Sequence, residues 1–222
     1  TDNTGFLMHS GRIVDMVHKY DLPNYGVFDE KRHFTAGPTP RPFSFKNHII
    51  GLLICEDMWN AKLATLHAKR GADLLIVINA SPYEIGKLPT RMKLAQRCTQ
   101  QSRLPLLYVN QYGGQDELVF DGHSFALDKQ GNTVFTAAGW DSDSSSILFS
   151  KDTQQWMVTT PPSETTDNLH EDIYRALVTG LRDYIQKNHF PGIILGLSGG
   201  VDSALSAAIA LSLIHISEPT RP

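Results

Sequence analysis

The sequence predicts an α/β protein built on a parallel or mixed sheet, and three stretches carry that prediction. Residues 49–54 (IIGLLI), 72–79 (ADLLIVIN) and 104–110 (LPLLYVN) are near-continuous apolar runs of strand length, the pattern of strands covered on both faces. Each ends in a polar loop, and helical stretches lie between them. That order brings chemistry to the C-terminal edge of a sheet.

Taken in order, residues 4–17 read as strand, turn and strand with Gly11 in the turn. The chain opens at Thr1 without a starting Met, and the abrupt start leads us to expect a domain whose beginning is missing. Lys19 follows the second strand. A loop then runs through Pro23, Asn24, Gly26, Gly37, Pro38, Pro40 and Pro42. The strand at 49–54 delivers Cys55 to a polar turn, with Glu56 and Asp57 directly behind it. Asn60 is placed to cap a helix over 61–70 that stops at Gly71. A second helix is expected within 86–103, and it makes Cys98 a core residue. The third strand ends in QYGGQDE, read as a loop, and residues 122–128 and 132–137 read as a hairpin around Lys129, Gln130 and Gly131.

The composition shifts from Asp141. A short strand, ILFS, precedes a polar, Pro-containing boundary at 159–168. Residues 170–187 have helical period, with Ile173, Leu177, Leu181, Tyr184 and Ile185 on one stripe and Asn168 or Asp167 as cap. A buried strand is expected over 192–197, running into SGGVDS and an Ala-rich helix. The tail at 211–222 resembles a translated sequencing adapter and is left out of the fold expectation. The domains expected are therefore 1–158, a linker at 159–168, and 169–210.

At 222 residues and 41% hydrophobic content, the chain can bury one core and part of another. Lys plus Arg number 20 against 23 Asp plus Glu, a formal charge of -3. No dense basic run exists to track a phosphate backbone, so nucleic acid is discounted as a partner. No apolar run approaches the roughly 18–20 residues of a membrane span. Two cysteines make no disulfide framework, which suits a reducing compartment, and a cytoplasmic location is expected.

Two motifs carry chemistry. In SGGVDS, Gly199 and Gly200 between a strand and a helix let backbone approach a ligand, and N–H groups at the helix start favour an anion. Ser198 and Ser203 add hydroxyl donors, and Asp202 is a carboxylate able to hold Mg²⁺ against phosphate oxygens. The loop lacks the Gly-Lys-Ser/Thr ending of a Walker A motif. Cys55, at a strand end beside two acids, is either a nucleophile or a space-filling core thiol.

SGGVDS resembles the PP-loop of ATP pyrophosphatases, which implies a Rossmann-like domain and ATP contacts from Gly196, Ser198, Gly199, Gly200, Asp202 and Ser203. The upstream part resembles the nitrilase, or carbon–nitrogen hydrolase, superfamily, which implies an αββα sandwich, incomplete here at its N-terminus. That family uses a Glu, a Lys and a Cys, and the Lys and Cys match Lys19 and Cys55. LPNYGVFDEKR, ICEDMW, NASPYEIGK, GGQDELVFDG and the stretch from YRALVTG to SGGVDSAL resemble the glutamine-dependent NAD⁺ synthetases up to Ala210.

The resemblance implies glutamine contacts at Tyr25, Ser81 and Lys87, with Trp59 walling the pocket. Glu30 matches a second acid that positions substrate and Lys; a surface carboxylate paired to Lys31 or Arg32 is the alternative. The family's general-base Glu lies upstream of the Lys, and neither Asp2 nor Asp15 fits it, so this stretch alone is expected to be a poor glutaminase. The substrates implied are glutamine, ATP and deamido-NAD⁺, with ATP and Mg²⁺ serving the synthetase half and homo-oligomers expected. Another carbon–nitrogen hydrolase amidase, another PP-loop amidotransferase, and a non-catalytic nitrilase-fold assembly module remain as alternatives.

Overall fold

The computed structural model describes residues 1–159 and 168–214. The chain starts with β1 (Thr4–His9) and β2 (Arg12–His18), paired antiparallel. Ser10 and Gly11 between them both have positive φ, 49° and 73°, the geometry whose twist suits a two-residue hairpin. A single helical turn, α1 (Glu30–His33), interrupts the loop that follows.

The main sheet has six strands. These are β3 (Phe43–Phe45), β4 (His48–Ile54), β5 (Leu74–Asn79), β6 (Leu106–Asn110), β9 (Phe125–Leu127) and β10 (Thr133–Thr136), in the order β10-β9-β6-β5-β4-β3. The three apolar runs form the parallel centre, β4 beside β5 beside β6. The antiparallel β3 and β9 flank it and β10 closes one edge, which makes the sheet mixed.

α2 (Ala61–Lys69) and α3 (Lys87–Ser102) cover one face. Asn60 caps α2 as expected, its side chain accepting from the Lys62 N–H at 3.2 Å. Leu53, Leu75, Val77, Ala95, Cys98 and Leu106 are fully buried in that layer. Each Leu there contributes about 1.5–3 kcal/mol. Cys98 is core packing, as expected, with Sγ 3.2 Å from the Met58 carbonyl.

The other face packs Leu52, Ile50 and Leu74 against Val17 and Leu7 of the β1–β2 pair. Gly5 marks how close that pair comes, since a Cβ there would stand 2.8 Å from Leu52 Cδ2. Helices, sheet and a second, two-stranded sheet thus form three successive layers.

Four strands were not legible. Beyond β3, QYGGQDELVFD forms the hairpin of β7 (Tyr112–Gln115) and β8 (Leu118–Asp121), where a loop was expected. β11 (Ile147–Ser150), the expected ILFS strand, pairs with β12 (Gln155–Val158).

α4 (Leu169–Lys187) starts at the expected cap: Asn168 Oδ1 accepts from the N–H of His170 and Glu171. Its buried residues are Ala176 and Thr179, while Leu177 and Tyr184 of the expected stripe are 46% and 50% exposed. The reason is its partner. The helix lies on the β7–β8 hairpin, where Gly180 and Gly114 allow close approach. Asp183 accepts from the Gly114 N–H at 2.7 Å, Lys187 Nζ donates to the Gly114 carbonyl at 2.5 Å, and Arg182 donates to the Tyr112 hydroxyl at 2.8 Å.

Residues 192–197 form no strand, contrary to expectation, and Ile194 and Leu197 are largely exposed. A strand needs a neighbour to take its N–H and C=O groups, and none lies beside this segment among the described residues. α5 (Val201–Ile214) follows, extending past Ala210 into the tail. Most of the expected linker and the rest of the tail lie outside the described residues. Among the described residues, no helix is long and apolar enough to cross a membrane.

Candidate active site

The parallel strands deliver three residues to one edge: Cys55 after β4, Ser81 two residues beyond β5, and Asn110 at the end of β6. Cys55 opens a 3₁₀ turn, Cys55–Trp59, with φ +49°. A left-handed non-glycine costs about 1–3 kcal/mol and persists only where its surroundings over-determine it. Asp57, in the same turn, is fully buried and accepts from the Ile54 N–H at 3.1 Å, which fixes the entry to the turn. Burial pushes the Cys55 thiol up from its ordinary range. Lys19 pulls it back down, and Glu56, Glu30 and Asp57 add to the upward push.

Lys19 is 2% exposed, and its Nζ lies 2.6 Å from Glu30 Oε1. Its backbone is pinned on both sides. The N–H donates to the Asn3 carbonyl at 2.8 Å, and the carbonyl accepts from the Gly37 N–H at 2.8 Å. Glu30 thus pairs with Lys19, while Arg32 faces Asp29. Asp2 and Asp15 are engaged elsewhere, near His18 and with Arg41.

A cleft of about 710 Å³ opens beside this turn, lined by Leu22, Pro23, Tyr25, Glu56 and Trp59 among others. The Tyr25 hydroxyl donates to the Glu56 carboxylate at 2.9 Å, and its pKa is raised by burial and by that carboxylate. Lys87 pairs with Glu84 at 2.9 Å, with Nζ 5.7 Å from the Trp59 ring centroid. Such a cation over an indole face gains about 0.5–1 kcal/mol where exposed. Tyr25, Glu56 and Trp59 therefore line the cleft, with Lys87 reaching the Trp59 ring, and Cys55 is the residue directly before Glu56.

Ser81 is buried, and a network absent from the sequence reading holds it. Arg91, itself 1% exposed, donates to Ser81 Oγ at 3.1 Å, to the Ser81 carbonyl at 2.8 Å, to the Pro82 carbonyl at 2.9 Å and to both Asp121 oxygens at 2.8 Å. Asn110 Oδ1 accepts from the Ser81 N–H at 3.0 Å. With Oγ accepting from Arg91, the Ser81 hydroxyl is left to act as a donor, and Tyr108 is a hydrogen-bonding neighbour of it. The signal lay in α3: Arg91, Ala95, Cys98 and Ser102 share its buried stripe, and a charge on a core stripe needs a buried partner.

The Ser198–Ser203 loop stands at the start of α5. Gly199 has φ +84° with open space where a Cβ would sit, and Ser198 Oγ lies 3.1 Å from Ser203 Oγ. Asp202 is in the helix's first turn. This donor set of backbone N–H groups, two hydroxyls and one carboxylate suits a polyphosphate with its cation. Among the described residues, no group of three or more His, Cys, Asp or Glu could hold a metal by protein ligands alone.

Comparison with known proteins gives two family matches, carbon–nitrogen hydrolase over residues 3–156 and NAD synthase over residues 173–219. A curated relative from Acinetobacter baylyi, named glutamine-dependent NAD(+) synthetase, is 39% identical over 96% of this chain and 39% of its own length. A solved structure of the glutamine-dependent NAD⁺ synthetase of Acinetobacter baumannii, in complex with ADP, superposes with TM-score 0.88 at 40% identity, covering 96% of this chain and 40% of that one. A carbon–nitrogen hydrolase from Helicobacter pylori shares the fold at 22% identity, with TM-score 0.57 over 62% of this chain and 53% of that one. The chain thus spans about two-fifths of the length of the synthetases it matches.

Proposed function

Because the chain belongs to the carbon–nitrogen hydrolase family, we propose that its first part is the glutamine amidase of a glutamine-dependent NAD⁺ synthetase and its last part the start of the ATP-using half. The observation that carries this is the buried Lys19, ion-paired to Glu30 and acting electrostatically on a strand-end cysteine. The synthetase relatives support the pairing of the two activities.

In this reading the Cys55 sulfur attacks the carboxamide carbon of glutamine. Lys19 and the N–H of Glu56 stabilise the oxyanion, a contribution worth about 2.7–4 kcal/mol per donor in comparable sites. The C–N bond then breaks, and the leaving nitrogen departs as ammonia with the proton the thiol gave up. Water cleaves the thioester to release glutamate. Tyr25, Ser81 and Lys87 bind glutamine, with Trp59 as wall. Gly196, Ser198, Gly199, Gly200, Asp202 and Ser203 hold the phosphates of ATP, and Asp202 its Mg²⁺. When bound, that group supplies adenylylation of the deamido-NAD⁺ carboxylate, which ammonia converts to the amide of NAD⁺. Homo-oligomers and a cytoplasmic site belong to the same proposal.

The test uses the complete protein. A glutamine-mimicking diazo-ketone should label Cys55 and spare Cys98, whose thiol burial pushes up to about 12. Cys55→Ala should abolish glutamine-dependent NAD⁺ formation and leave synthesis from added ammonium largely intact. Labelling of both thiols alike, or none at Cys55, would overturn the amidase reading, and loss of both activities would make Cys55 structural.

A further inference from the structure

Lys19 and Cys55 come from segments 36 residues apart, and something must hold them in one register. Electrostatic help at a reacting centre depends on placement to about 0.5 Å. The Lys19 side chain has Glu30, but the backbone that carries it leaves β2 and enters a loop. There the next two amides, Tyr20 and Asp21, both donate to Asp57 Oδ1, at 3.0 and 2.8 Å. The other oxygen of the same carboxylate, Oδ2, accepts from Ile54, the residue before the nucleophile. One side chain thus bridges the two segments, one oxygen to each.

We propose that Asp57 is a positioning residue that sets the Lys19 ammonium against the Cys55 sulfur by clamping the Tyr20 and Asp21 amides to the Cys55 turn. It does not touch substrate. Asp57 is 0% exposed, so its carboxylate has no water to replace a lost partner. Burial raises its pKa to about 6. The Asp21, Ile54 and Tyr20 N–H groups oppose that rise, and the Asp21 carboxylate adds to it. The charges concerned on the packed elements are Asp21 on the loop and Cys55 on its own turn, the latter pushed up in turn by Asp57.

That last relation gives the test a sign. Removing the Asp57 charge directly would make Cys55 more acidic, whereas losing the placement of Lys19 would make it less acidic. The inference rests on reading Lys19 and Cys55 as partners, so Lys19→Met is measured beside Asp57→Asn. The Asn amide has one acceptor oxygen and cannot serve both sides of the clamp.

The rate of Cys55 carbamidomethylation by iodoacetamide, read at that residue by mass spectrometry, is followed against pH in the 222-residue chain. Lys19→Met should move the midpoint upward, and Asp57→Asn should move it upward by at least about half as much. In the Lys19→Met background, Asp57→Asn should move it downward instead. An unmoved or lowered midpoint in the single Asp57→Asn variant overturns the clamp and spares the Lys–Cys reading. An unmoved midpoint in Lys19→Met overturns the Lys–Cys reading itself. Should Asp57→Asn not fold, the unsubstituted chain still decides: the amide resonances of Tyr20, Asp21 and Ile54 should titrate together with one midpoint near 6. Separate midpoints, or amides that do not move, would overturn the clamp.

Discussion

Taking the charge from Asp121 would strand Arg91 in the core with its guanidinium uncompensated. Breaking a buried pair from one side costs about 3–5 kcal/mol, much more than the pair itself contributes. Asp121→Asn should therefore lower unfolding free energy by about 3 kcal/mol in urea titrations. It should also weaken glutamine binding in the complete protein, because Arg91 holds both the hydroxyl and the carbonyl of Ser81. This network shows which residues a sequence yields and which it hides. Cys55 and Lys19 could be singled out as candidates because a strand ends at each and family motifs adjoin them. Arg91 and Asp121, 30 residues apart, were not, since nothing local says that a helix charge and a hairpin carboxylate meet. Asp57 was visible as an acid beside Cys55, but its use depends on the Tyr20 and Asp21 amides arriving from 37 and 36 residues away.

Among elements, the β7–β8 hairpin and α4 define each other. QYGGQDE reads as a loop because two glycines weaken any strand. They are also what lets a helix lie close to it. A Cβ on Gly114 would stand 3.2 Å from the Gly180 Cα and 3.3 Å from the Thr179 carbonyl oxygen, both backbone atoms that cannot swing aside. Gly114→Ala should accordingly destabilise by about 1–3 kcal/mol, the usual cost of overpacking. The check is a lowered thermal midpoint, with Gly71→Ala as control: Gly71 has open space where a Cβ would sit, so its cost is confined to its φ of +84°. The same dependence explains the segment at 192–197. Its apolar run has the composition of a strand, but composition supplies no neighbour, and without one the backbone stays unpaired. The buried apolar runs of β4, β5 and β6 were legible, whereas β3, β7, β8 and β12, which also pair within the chain, were not.

For the molecule as a whole, two buried groups set opposing pH dependences. Burial lowers His67 to about 4, with a Leu52 backbone group opposing, and raises Asp57 to about 6. Between pH 4 and about 6.5 the unfolded chain holds a proton on His67 that the folded chain lacks, so this group costs stability as pH falls. Between about 6 and 3.8 the folded chain holds a proton on Asp57 that the unfolded chain lacks, so stability from this group rises as pH falls. The two slopes nearly cancel across the shared window. His67→Leu should expose the Asp57 slope, so that unfolding free energy, relative to the unsubstituted chain, gains about 1.4 kcal/mol per unit of acidification from pH 6 to 4. Parallel pH curves for the two chains would refute this balance. The docking of α4 bears on how the molecule comes apart. The sequence changes character near residue 160, but the packing does not let go there, because Asp172, Asp183 and Lys187 reach back to Trp140 and Gly114. A chain severed after Val158 leaves the hairpin bare, whereas one severed after Asn188 carries its cover away intact. The covalent seam and the mechanical seam of this molecule are some thirty residues apart.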